Sequence, residues 1–242
     1  MLSEKSWKPE SLLRCVLGLF VFQLIAMLGL SLVLSRVLAP ASVTSTILSA
    51  GCMQLITIAF IWRLLREHET SWMEGFGLRR QILSSLGLAA VGVGLFLPLG
   101  WMLQFASIKI FTRFGFDVEM QAAVKALIES GTPGEFIGLG LVVIVLAPIA
   151  EESLFRGVLY PAIKHFGHPR AALWGTSVLF ALIHANKVVF VPLLVLALLL
   201  VWLYEKTGNL LAPIVAHATF NAVNFAMFFL AEEFARQLPD QP

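Results

Sequence analysis

The segment FIGLGLVVIVLAPIAEESLFRGVLYPAIKHF, residues 136–166, decides how the whole chain is read. It is long and apolar enough to cross a hydrocarbon core, which takes roughly 20 mostly apolar residues. Yet Glu151, Glu152 and Arg156 lie within it. Ionisable side chains in hydrocarbon are costly and by default mark a functional site. Glu152 and Arg156 are four residues apart, so on a helix they share one face and can form an ion pair. Glu151 is rotated about 100° from Glu152, need not share that partner, and can point into a cavity. An ion-pair staple between helices would account for Glu152 and Arg156. It leaves the second carboxylate unexplained.

The rest of the chain has the same character. Of its 242 residues 58% are hydrophobic and 13% charged, against roughly 45–50% and about 25% in soluble domains. That composition excludes disordered, collagenous and disulfide-rich secreted classes. The expected fold class is all-α: a polytopic transmembrane helical bundle of about seven spans plus an amphipathic interfacial helix. The spans read as Leu12–Leu38, Val43–Leu65, Ile82–Phe105, Phe136–Phe166, Ala171–Asn186, Val188–Tyr204 and Leu210–Glu232. The first follows Lys5 and Lys8 as a signal peptide would, but outruns an h-region of roughly 7–15 residues. The fifth and sixth are short and separated by Lys187, so they form two spans joined by a tight turn or include a partly re-entrant one. Asp117–Ser130 places Met120, Val124, Leu127 and Gly131 at helical spacing opposite Glu119, Lys125 and Glu129, the pattern of a helix lying along the membrane. One membrane domain, 1–242, is expected, with amino-terminal and interfacial helices in 1–134 and the motif-bearing core in 135–232.

Charge and cysteine usage narrow the partners. A net charge of +2 with scattered basic residues points to no nucleic acid. Cys15 and Cys52 sit in apolar runs, form no Cys-x-x-Cys pair, and read as packing residues. Leaving Arg156 aside, ten Lys and Arg fall on the amino-terminal side of seven spans and six on the other. The positive-inside rule then favours a cytoplasmic amino terminus. Gln23, Gln54 and Gln104 read as hydrogen-bonding glue between helices, and Glu232-Glu233 as a solvated helix end.

Two further spans carry polar residues. The fifth offers Phe180-x-x-x-His184 and the seventh His217-x-x-x-Asn221, with His and Asn one turn apart. Either alone reads equally well as interhelical hydrogen bonding. Together, three apolar helices carry Glu, His, His and Asn. At 1.5 Å per residue, Glu151 and His184 each lie roughly 21–23 Å from the Phe166–Arg170 loop, and His217 about 13 Å from Gly208. All three can reach the bilayer interior, and one polar cavity entered from the cytoplasmic side is expected.

Glu151-Glu152-x-x-x-Arg156, Phe180-x-x-x-His184 and His217-x-x-x-Asn221, in this order on successive apolar helices, resemble the CPBP family of CAAX prenyl proteases and bacteriocin-processing (Abi) proteins. The resemblance covers the carboxyl-terminal half and implies an intramembrane endopeptidase. It implies that Glu151 activates water with help from His184, and that His217 and Asn221 position water or stabilise the oxyanion. Glu152, Arg156 and Phe180 would support the site. The chemistry suits these residue types, since peptide hydrolysis needs a base, a donor for the leaving amine and oxyanion stabilisation.

The reading implies no cofactor and no metal. Zinc held by Glu151, His184 and His217 is the alternative, although the His-Glu-x-x-His pair of zincins is absent. A proton-coupled transporter or a non-enzymatic immunity protein competes from outside catalysis, but no inverted repeat is present. The partners expected are a membrane-associated peptide or protein substrate and the lipid bilayer, and the location the bacterial cytoplasmic membrane. Nothing in the sequence sets an oligomeric state.

Overall fold

A computed structural model describes residues 7–37 and 42–237, with side chains to Ala231. Lys5 and Leu38, and the side chains of Glu232, Glu233 and Arg236, lie outside the described residues. The fold is an all-α polytopic bundle of α1 (Pro9–Val37), α2 (Val43–Glu67), short α3 (Trp72–Gly75), α4 (Ile82–Arg113), α5 (Ala122–Glu129), a composite helix, α9 (Pro169–Ile183), α10 (Phe190–Thr207) and α11 (Leu211–Gln237). The composite helix runs from Pro133 to His165 as α6 (Pro133–Gly140), a π-helical segment (Leu141–Leu146), α7 (Ala147–Glu152), a second π-helical segment (Ser153–Leu159) and α8 (Tyr160–His165).

Burial sorts these helices by role. α10 is apolar on all sides, as a central helix must be, and buries Leu193, Leu196, Ala197, Leu200 and Leu203 against α4, α9 and α11. α1 buries only Ser11, Cys15 and Leu19. Its outward Phe20, Phe22, Ile25, Leu28 and Leu32 suit lipid, where backbone polar groups are satisfied within the helix. α1 holds α2 through the Gln23 amide, which donates to the Thr57 hydroxyl at 3.0 Å and the Met53 carbonyl at 3.3 Å.

Among the described residues six helices are long and apolar enough to span a membrane: α1, α2, α4, the composite helix, α10 and α11. The expected fifth span is α9, which has 15 residues and stops before His184. About 22 Å of helix falls short of a full crossing. The chain turns at Ala185, which takes φ +48°, and Asn186 Oδ1 then accepts from the Val188 and Val189 amides in the turn that precedes α10. The expected third span also extends eight residues further than predicted, to Arg113.

The interfacial helix differs more. Only Ala122–Glu129 is helical, while 117–121 is non-helical and leaves Met120 exposed. α5 buries Ala126 and Leu127 against Val43 and Leu139. It packs onto α2 and α11 as a cover instead of lying on lipid alone. Thr132 then caps the composite helix by accepting from the Glu135 amide, with Pro133 in its first turn.

At the other end, the 71–81 connection is pinned to the bundle. Asn209 Nδ2 donates to the Arg80 carbonyl at 2.6 Å, and the Leu210 amide to the Phe76 carbonyl at 3.0 Å. Gly77 adopts φ +64°, and a Cβ there would collide with the Gly208 carbonyl. Phe76 rests on Gly157, where a Cβ would stand 2.6 Å from its ring. Gly77→Ala is therefore expected to lower stability by roughly 1–3 kcal/mol. Thermal unfolding in detergent micelles checks this, and an unchanged midpoint would show that the contact with Gly208 is not a constraint.

Candidate active site

The site begins with a buried charge. Glu152 and Arg156 lie one turn apart with 0% and 1% of their side chains exposed, and Arg156 Nη1 donates to Glu152 Oε1 at 2.9 Å. Arg156 Nη2 donates to the Ala197 carbonyl of α10 at 3.0 Å, tying the composite helix to the bundle centre. The Phe180 ring lies 4.6 Å below the guanidinium, in cation–π range. His217 of α11 completes the network, with Nδ1 2.9 Å from the same Glu152 Oε1. One carboxylate oxygen thus joins two elements, and a third attaches through Arg156.

These contacts set the histidine tautomers. A carboxylate or carbonyl oxygen can only accept, so its imidazole partner must donate. His217 therefore donates Nδ1–H to Glu152. His184, at the carboxyl cap of α9, donates Nδ1–H to the Phe180 carbonyl at 2.7 Å. Each ring keeps Nε2 for other chemistry. Phe180 is fully buried and packs on both imidazoles, with centroids 5.0 Å from His184 and 5.7 Å from His217. It lies behind the rings and holds both.

Glu151, His184, His217 and Asn221 line one cavity of about 430 Å³. Its apolar wall includes Val142, Val143, Val189, Leu193 and Phe220, and α5 contributes Val124 and Leu127. Asn221 Nδ2 donates to the Val143 carbonyl in the first π-helical segment at 2.9 Å. That contact orients the amide and leaves its second N–H. Glu151 receives a hydrogen bond on Oε1 from Gln54 of α2 at 3.3 Å, while its buried Oε2 has no partner among the described residues.

The sequence-selected residues thus fall into two groups: four around the cavity, and Glu152, Arg156 and Phe180 behind it. The expected approach from the Phe166–Arg170 end is not what the structure has. Phe155, Arg156 and Phe180 are buried on that side. The cavity is bounded instead by 118–121, α5 and Asn186–Val189 at the opposite end, where Asn186 Nδ2 donates to the Glu119 carbonyl. Depth was measured along the helices, but access depends on which end the core closes. Sequence reasoning also missed Gln54, Gln104, Asn186 and Asn224 as cavity residues. Their only signal was a carboxamide in or beside an apolar run, which reads equally well as helix glue. Among the described residues no three His, Cys, Asp or Glu gather closely enough to hold a metal ion.

Comparisons with known proteins point to the same segment. Residues 133–223 match the family model described as type II CAAX prenyl endopeptidase, Rce1-like. The residues that hold all three motifs are thus Rce1-like in sequence, in agreement with the CPBP resemblance. UPF0177 protein YxdF of Lactococcus lactis is 29% identical over 96 residues, covering 39% of this chain and 52% of that protein. The uncharacterized protein YpbD of Bacillus subtilis is 37% identical over 101 residues, covering 40% and 49%. The chain spans about half the length of the curated relatives it matches. No solved structure matches it.

Two outcomes are expected. Glu152→Gln leaves Arg156 without a counter-charge in a dry site and should destabilise the fold by about 3 kcal/mol or more, read as a lower unfolding temperature; an unaltered midpoint would remove the network from its structural role. With the amino terminus cytoplasmic, Met120→Cys in a Cys15→Ser, Cys52→Ser background should react with an impermeant maleimide in intact cells, and Arg170→Cys only after permeabilisation. The reverse pattern would turn the cavity toward the cytoplasm.

Proposed function

We propose that this protein is an intramembrane endopeptidase that hydrolyses a peptide bond in a membrane-associated peptide or protein, in the bacterial cytoplasmic membrane. The observation that carries the reading is the shared cavity, in which a glutamate with a buried, unpartnered oxygen stands among two histidines and an asparagine. The match of residues 133–223 to the Rce1-like type II CAAX prenyl endopeptidase family supports peptidase chemistry. The bacterial relatives support the location.

Glu151 takes a proton from water, and the hydroxide formed attacks the scissile carbonyl carbon. The second N–H of Asn221 meets the developing oxyanion, where fixed donors act most strongly, while the Nε2 lone pair of His217 accepts a hydrogen bond from the attacking water and so positions it. His184 assists proton transfer to the amine as the C–N bond breaks. Glu152 holds His217 by Nδ1, fixing the direction of Nε2 as a carboxylate does behind other catalytic imidazoles. Arg156 keeps Glu152 in place. No Ser or Cys is assigned as a nucleophile. The reading takes no metal: Asn221 is a poor zinc ligand, and among the described residues no three His, Cys, Asp or Glu gather closely enough to share an ion.

Glu151→Gln keeps size and hydrogen bonding but removes the base, so turnover should fall by at least about 100-fold with the unfolding temperature unchanged. Mapping of new peptide termini by mass spectrometry, in membranes holding equal amounts of wild type or variant, checks this. Products that persist with Glu151→Gln would overturn the assignment. Activity lost to a chelator and restored by zinc alone would overturn the metal-free mechanism.

A further inference from the structure

Gln54 lies on α2, in the half of the chain that neither the three motifs nor the family match reaches. It lines the cavity, and its Nε2 donates to Glu151 Oε1 at 3.3 Å. Among the described residues no other group is hydrogen-bonded to that carboxylate, and its Oε2 is buried without a partner there. Glu152, one residue along, is held by both Arg156 and His217. The neighbouring carboxylates are therefore fixed from different elements. Glu152 is anchored inside the core, and Glu151 is held only from α2.

From this asymmetry we infer that Gln54 is a positioning residue for the hydrolytic reaction. Its amide holds Oε1 and limits the rotation of the carboxylate that takes the proton from water. The inference rests on the reading of Glu151 as base. A carboxylate held at one oxygen has lost most of its rotational freedom, and orientation of this kind governs rate more than substrate binding. It also explains why the catalytic half is packed against the amino-terminal helices: α2 brings a donor to the one side of Glu151 that no element from 133–223 holds.

The test compares Gln54→Met, which keeps length without a donor, with Gln54→His, which restores an N–H. Thr57→Val serves as control, since it loosens the α1–α2 contact one turn away without touching Glu151. The first readout needs no substrate: the infrared carboxylate band that disappears in Glu151→Gln, observed in protein carrying isotope-labelled Glu. It should shift in Gln54→Met, return toward its original position in Gln54→His, and stay in place in Thr57→Val. The second is cleavage of a farnesylated, quenched-fluorescent peptide, with kcat falling roughly 10- to 100-fold in Gln54→Met at unchanged KM, and recovering in Gln54→His. An unmoved band overturns the inference whether or not any peptide is cut. A shifted band with unchanged kcat overturns the positioning role. Failure of the wild type to cleave any peptide counts against the peptidase reading, and the band alone then decides whether Gln54 holds Glu151.

Discussion

A side chain with 1% of its surface exposed must find its counter-charge and its acceptors inside the protein, and the two Nη groups of Arg156 do so by joining parts of the bundle, while Nε has no partner among the described residues. Arg156 meets Glu152 one turn away, the Ala197 carbonyl of α10, and the face of Phe180 from α9. His217 of α11 closes on the same carboxylate oxygen. Replacing any one of these groups leaves a charge or donor stranded where no water can take its place, which costs more than the pair contributes when complete. The network therefore fixes the relative placement of the composite helix, α9, α10 and α11. The cavity is the space that this placement leaves beside it.

The composite helix shows how a single element serves both purposes. α7 holds the two glutamates and is flanked on each side by a π-helical segment. Wider turns of this kind re-aim side chains and occur often at functional sites. The Val143 carbonyl of the first segment accepts from Asn221, and the second segment contains Arg156. Adjacent residues on one helix thus face different surroundings. Glu152 enters a buried network with Arg156 and His217, while Glu151 meets a cavity and a neutral amide. Two adjacent carboxylates can serve different purposes for this reason, since environment decides which chemistry a glutamate can perform.

Much of this was legible in the sequence because hydrocarbon makes polar residues conspicuous. Glu151, Glu152, Arg156, His184, His217 and Asn221 stand out in apolar runs, and their spacing gave the ion pair and the shared face of His217 and Asn221. The early end of α9 was hidden, because nothing in the composition of 184–186 marks the left-handed turn that Ala185 takes at φ +48°. The end at which the cavity opens was hidden too, since it depends on which side Phe155, Phe180 and Arg156 fill. Gln54 could not be distinguished from Gln23. Both are amides in apolar helices, and only three-dimensional packing shows that one joins α1 to α2 while the other reaches a carboxylate.

The central claim is that water attacks the peptide directly, with Glu151 as base and not as nucleophile. A single turnover in heavy-oxygen water, with enzyme in excess over substrate, tests it most directly. The account predicts that the new carboxyl terminus of the product carries the heavy isotope in that first turnover, while Glu151 remains unlabelled. Product bearing ordinary oxygen, with the heavy isotope in the Glu151 carboxylate, would mean an acyl intermediate on the enzyme and would contradict the mechanism.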